Sequence, residues 1–209
     1  MLEGPKIGFK IPEVLTVEEI DRIISAVDMD KKEGQRNRAI LETLYSCGLR
    51  VSELCNLKLS DLYFEEGFIK VEGKGSKQRL VPISPRAIKE IKYWLTDRNL
   101  GKIKKGYEDY VFLARWGNNI SRIMVFHMIK ELAEKTGITK NISPHTFRHS
   151  FATHLLEGGA NLRAIQCMLG HESIATTEIY THIDRNMLRS EIIEHHPRNI
   201  KYRKERGIY

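Results

Sequence analysis

No run in the sequence approaches the roughly 18 consecutive apolar residues that a membrane-spanning helix needs, and residues 1–10 lack the apolar centre of a secretory signal. A cytoplasmic protein without membrane association is expected. Cysteine is scarce: Cys47, Cys55 and Cys167 are an odd number with no Cys-x-x-Cys pair, which argues against both a disulfide framework and a thiolate zinc site. Glycine (15) and proline (6) are too few in 209 residues for a collagen-like or disordered chain. Acidic residues fall short of basic ones, 27 against 34, leaving a formal charge of +7. That balance favours a polyanionic partner. Many basic proteins bind no nucleic acid, so a site has to decide.

With 41% hydrophobic and 29% charged residues, the chain can bury a core, and its length suits one domain with a short appendage. Gly4, Pro5, Gly8 and Pro12 make the first residues turn-rich, a linker more than an element. Thr16 and Glu19 form a capping box, with Leu15 and Ile20 as a hydrophobic staple, and predict a helix from Thr16 to Asp28. Ile40, Leu41, Leu44 and Tyr45 predict a second from about Arg36 to Cys47, stopped by Gly48. A helical turn at Ser52–Asn56 comes next.

The period then changes to two, through Phe68–Val71 and again through Arg79–Ile83. These are two strands joined by the hairpin loop Gly73-Lys74-Gly75-Ser76-Lys77, with Pro82 marking an edge position. Ser84-Pro85 starts a helix to about Arg98, and Val111–Leu113 reads as a third short strand. Helices are expected over Ser121–Lys135, from Ser143-Pro144 to Glu157, between Asn161 and Gly170, from Ser173 past Tyr180, and from Asp184 to about Glu194. The basic stretch Pro197–Tyr209 reads as loose. The fold class is therefore α+β, predominantly helical with a small antiparallel sheet.

The hairpin loop is not a Walker motif, because Phe68 stands where the leading glycine belongs, and it is not GxGxxG, because Gln78 replaces the last glycine. What remains is Lys74 on a glycine-relieved tip, able to swing an ammonium towards an anion; taken alone, a solvated turn lysine explains it as well. His145 and His149 are four apart, but Thr146 replaces the glutamate of the zinc-protease pattern and Arg148 repels a divalent cation. His145 and Arg148 are neighbours on one helix face in the first turns after Ser143-Pro144, where the macrodipole is positive. That arrangement suits an anion, although an ordinary helix start with two solvated side chains fits it too. His171 follows a helix stop, and Tyr180 sits near a helix end, where a tyrosine is commonly a packing residue. No Ser/His/Asp set and no carboxylate cluster for two metals stands out. Together, two guanidiniums, imidazoles and an ammonium suit neutralising a phosphodiester in its pentacoordinate transition state while a phenol attacks phosphorus.

Gly48-Leu49-Arg50-Val51-Ser52-Glu53-Leu54, Gly73–Lys77, Pro144-His145-Thr146-Phe147-Arg148-His149, Leu169-Gly170-His171 and Tyr180-Thr181-His182 resemble, in order and spacing, the motifs of the tyrosine recombinases, most of all the Xer-type enzymes. The resemblance runs from about Pro12 to Pro197. It implies the DNA breaking-rejoining fold and a metal-independent strand transferase with no cofactor, acting on duplex DNA through a 3′-phosphotyrosyl intermediate. By the same resemblance Arg50 and Arg148 grip the scissile phosphate and His171 supports them. Lys74 protonates the leaving 5′ oxygen, His145 assists proton transfer, Tyr180 is the nucleophile and Glu53 orients the site.

Family members carry a helical domain ahead of the catalytic one. Residues 1–15 are then the linker from such a domain, 16–184 the catalytic domain, and 185–209 a helix and tail that dock on a neighbouring protomer in a four-subunit synapse. Without DNA the chain is expected to be mostly monomeric. Chromosome dimer resolution is the favoured role, with mobile-element integration or a non-catalytic DNA-binding module as alternatives. Lys77, Arg79, Arg115 and Arg122 flank the hairpin and a helix start and are candidates for DNA contact.

Overall fold

The computed structural model describes residues 13–170 and 185–208. In chain order these form α1 (Val17–Ser25), α2 (Gly34–Cys47), α3 (Val51–Cys55), β1 (Leu62–Tyr63), β2 (Phe68–Glu72), β3 (Gln78–Pro82), α4 (Pro85–Leu100), α5 (Arg122–Lys135), α6 (Pro144–Glu157), α7 (Leu162–Leu169), α8 (Arg185–His195) and α9 (Pro197–Glu205). Helices dominate, and the sheet is antiparallel with strand order β1-β2-β3. The expected α+β class holds.

Local signals place the element ends. Thr16 Oγ1 accepts from the Glu19 N–H, and the Glu19 carboxylate accepts from the Thr16 N–H, which satisfies two otherwise unpaired donors at the start of α1. The helix stops at Ser25, three residues short of the expected Asp28, because Val27 turns tighter and donates to Ile24 O. Ser84, Ser121 and Asn161 cap α4, α5 and α7 through their side chains. β2 and β3 pair in register Ile69↔Val81 and Val71↔Arg79, and Pro82 lies on the edge strand β3, where its missing N–H costs no ladder bond.

α2 is the centre of the core. Ala39, Ile40, Leu41, Leu44 and Tyr45 are fully buried between α4 and α6. The three cysteines are free and buried.

Two expectations change. Val111–Leu113 is buried but is not a strand of a sheet: single bridges join Lys58 to Tyr110 and Leu113 to Asn119, and its backbone is satisfied by loop partners such as Leu57 O. The stretch from Pro197 is not loose but forms α9 up to Glu205. Its Arg198 side chain is buried and paired with Asp21 and the wholly buried Glu42, while Arg86 bonds the same Glu42 carboxylate at 3.1 Å. Four buried or half-buried charges held together in this way are stable where one alone would not be. Ahead of α9, His196 is fully buried, its Nε2 bonded to Tyr45 O at 3.1 Å and its Nδ1 accepting from the Arg198 N–H at 3.2 Å. Tyr45 in turn bonds His154 Nδ1 through its hydroxyl at 2.6 Å.

Candidate active site

The site starts at the left-handed end of α2. Gly48 has φ +63°, and a Cβ there would lie 2.3 Å from the Phe151 ring, so only glycine lets α6 pass this close. The chain then turns at once into α3, whose N-cap is Arg50. Glu53, in the first turn of α3, accepts the Arg50 N–H on Oε2 at 2.9 Å and the Arg50 guanidinium on Oε1 at 3.1 Å. Arg50 is half-buried and Glu53 buried, so the guanidinium is tethered at its base and open at its face.

Arg148 arrives from α6. Its side chain is buried, with Nη1 donating to Gly48 O at 2.8 Å and Nη2 to Leu169 O at 2.6 Å. It therefore spans the C-terminal ends of α2 and α7, where unpaired carbonyls and the negative ends of the helix dipoles favour a cation. Burial, then the like charges of Arg50 and Arg79, bring its pKa down to about 10 against the opposing pull of Glu53, which leaves it protonated at neutral pH. Arg50 and Arg148, 98 positions apart in the chain, thus lie in one place.

The hairpin loop closes through a Gly73 N–H to Lys77 O bond of 2.8 Å. Lys74 and Lys77 are exposed on it, and its base reaches the site: a Cβ on Gly73 would be 3.5 Å from Glu53 Oε1. His145 is exposed in the first turn of α6, its ring centroid 6.2 Å from that of His149. Burial, His145 and Arg148 together lower the His149 pKa, so this imidazole tends towards the neutral form. His171 and Tyr180, the remaining two of the expected six, lie outside the described residues.

Of the suggested DNA contacts, Arg115 and Arg122 are exposed, Arg115 with its guanidinium 5.3 Å from the Trp116 ring centroid. Arg79 differs. It is buried, donates to both Glu53 oxygens at 2.6 and 3.0 Å and to Met168 O at 2.9 Å, and so belongs to the interior of the site and not to a DNA-facing surface. Sequence reasoning missed this placement. The available signal was the alternation of β3, in which Arg79 shares a face with the buried Val81. Burial acts to raise the Glu53 pKa, but the hydrogen bonds and charges of Arg79 and Arg50 outweigh it and hold the carboxyl below its ordinary range.

The cluster gathers three guanidiniums around one carboxylate, so it suits an anion. Among the described residues no group of three or more His, Cys, Asp or Glu side chains is placed to hold a metal ion, and no helix is long and apolar enough to cross a membrane.

The phage integrase family matches residues 13–187. The chain is 43% identical over 198 residues to tyrosine recombinase XerD of Staphylococcus saprophyticus, covering 95% of this chain and 67% of that one, and 42% identical over the same length to XerD of Staphylococcus aureus. The crystal structure of XerA recombinase superposes with a TM-score of 0.71 at 35% identity, over 90% of this chain and 66% of that one. XerH bound to its difH substrate in a pre-cleavage complex gives 0.70 at 30%, over 83% and 51%. The chain thus spans about two thirds of the length of the XerD relatives it matches. It belongs to the phage integrase family, the tyrosine recombinases, alongside the Xer-type enzymes.

Proposed function

We propose that this chain is the catalytic part of an Xer-type site-specific recombinase that cuts and rejoins duplex DNA without metal or cofactor. The observation that carries the reading is the meeting of Arg50 and Arg148 beside Glu53, with the base of the Lys74 hairpin against the same carboxylate. In this reading the two guanidiniums and His171 hold the non-bridging oxygens of one phosphodiester. The Tyr180 phenol oxygen attacks phosphorus, giving up its proton with the help of His145. The bond from phosphorus to the 5′ oxygen breaks, and Lys74 protonates that oxygen as it leaves. A 3′-phosphotyrosyl ester remains, and attack by a 5′ hydroxyl of another strand reverses the step.

The ester conserves the bond energy, so rejoining needs no ATP. A phenol with a pKa near ~10 is a poor nucleophile at neutral pH. Each preorganised donor aimed at the transition state is worth about 2.7–4 kcal/mol, so three or more provide an acceleration of enzymatic size.

Duplex DNA is the partner, in the cytoplasm, with four protomers in the synapse and residues 185–209 docking between neighbours. Likeness to XerD supports chromosome dimer resolution over mobile-element integration. The test is a nicked suicide duplex, its sequence selected from a random pool by binding to this chain, incubated with EDTA present. A covalent adduct is expected, lost in Tyr180→Phe while DNA binding persists. Salt-sensitive binding with no adduct would instead mark a DNA-binding module, and an adduct surviving in Tyr180→Phe would move the nucleophile elsewhere.

A further inference from the structure

Arg79 has no part in the chemistry above, yet its buried side chain makes three hydrogen bonds within the site. Its two terminal nitrogens run in parallel to the two oxygens of Glu53, at 2.6 and 3.0 Å, and its Nε closes on Met168 O. Three site segments meet on it. Glu53 leads to Arg50. A Cβ on Gly73, the residue before Lys74, would stand 3.6 Å from Arg79 Nη1. Gly170, the residue before His171, is left-handed, and a Cβ there would press to 3.1 Å against the Arg79 side chain.

Glu53 is the only carboxylate bonded to Arg50 among the described residues. An unshared carboxylate would close on Arg50 as a tight pair and compete with any anion approaching it, since two unit charges in contact attract strongly where water is partly excluded. The fork of Arg79 takes the opposite side of that carboxylate, and a fork-to-fork pair is the strongest arrangement a guanidinium makes. Of the Arg50 guanidinium only Nη1 is bonded to the side chain of Glu53, at the longer distance of 3.1 Å.

We propose that Arg79 is a positioning residue which takes up the charge of Glu53, leaving the Arg50 guanidinium available to the phosphate, and which ties the Lys74 hairpin and the segment before His171 to that carboxylate. The proposal deepens the recombinase reading and rests on it for the identity of the anion. Arg79→Met removes the fork, and Glu53 then captures Arg50. Arg79→Met with Glu53→Gln removes the competing charge as well, so anion binding returns. Arg79→Lys keeps the charge with a single donor and falls between.

Inorganic sulfate is the probe, titrated against the side-chain Nε–H resonance of Arg50 in the folded chain, with a melting curve for each variant. Sulfate affinity at Arg50 is expected to fall roughly tenfold or more in Arg79→Met and to recover most of that loss in the double variant. In parallel, the rate of adduct formation on the suicide duplex falls in Arg79→Met with little change in DNA affinity and recovers in part in the double variant. Unchanged sulfate binding in a folded Arg79→Met, or no recovery in the double variant, overturns the proposal; if Arg79→Met does not fold, Arg79→Lys against Arg79→Lys with Glu53→Gln makes the same comparison. Absence of adduct from the unaltered chain would count against the recombinase reading, and the sulfate titration would still decide the role of Arg79.

Discussion

Arg148 and Arg79 donate to adjacent carbonyls, Leu169 and Met168, at 2.6 and 2.9 Å. Both oxygens belong to the last turn of α7, where helix geometry leaves carbonyls without partners. Two buried cations from α6 and β3 therefore fix the direction in which the chain leaves α7, one residue before His171. The two guanidiniums and the backbone at the end of α7 are held by the same bonds.

Arg148→Lys tests that bridge. A single ammonium reaches one carbonyl and strands the other, so unfolding free energy is expected to drop by about 1–3 kcal/mol in urea denaturation. If Arg148 grips the phosphate as proposed, adduct formation on a suicide duplex is expected to slow by at least about 100-fold, since a planar two-pronged donor is lost there.

Gly48→Ala forces a Cβ into the Phe151 ring at a residue with φ +63°. Left-handed strain and overpacking together are expected to cost about 2–4 kcal/mol. Because Gly48 O also holds Arg148, DNA cleavage measured well below the melting temperature should fall too. Unimpaired cleavage would separate the backbone turn from the guanidinium.

Arg198→Met leaves the fully buried Glu42 with Arg86 as its one cationic partner among the described residues. Breaking a buried pair typically costs about 3–5 kcal/mol, and the remaining Arg86 bond should keep the loss at or below that range. Adding Glu42→Gln is expected to restore part of it, and limited proteolysis should show α9 released first in the single variant.

Stability should depend on pH through His196. Burial holds its folded pKa at about 3, against 6.5 for a free imidazole. At neutral pH both folded and unfolded forms are unprotonated and the group contributes no pH dependence. As pH falls through the unfolded value the unfolded chain takes up a proton that the folded one refuses, so stability declines from about pH 6.5 towards pH 3, by at most about 1.4 kcal/mol per pH unit. His196→Gln should flatten that part of the curve in denaturation series at pH 4, 5, 6 and 7; an unchanged slope would place the proton uptake on another group.

Reading from sequence succeeded where the signal is local. Thr16 with Glu19, Ser84 with Pro85, and the glycines at 48 and 170 act within one helical turn, so residue type and spacing were enough to place the starts of α1 and α4 and the C-terminal stops of α2 and α7. Val111–Leu113 misled because an apolar triplet has the same pattern in a strand and in a buried loop, and only the partners of its N–H groups tell them apart. Pro197–Tyr209 misled because a basic composition looks solvated until Arg198 finds Asp21 and Glu42 across the fold.

What the amino-acid order determined alone is where several helices start or stop and the chemical types available to the site, because caps, turn glycines and hydrophobic periods act over three or four residues. The tertiary structure decided which of the basic side chains face outward and which are committed inside. Arg79 bonds Glu53 across 26 positions, Arg148 bonds Gly48 across 100, and Arg198 bonds Glu42 across 156. Such pairs form only once α2, α6, α7 and β3 have packed, since a cation leaves water only where a preassembled set of oxygens replaces its hydration.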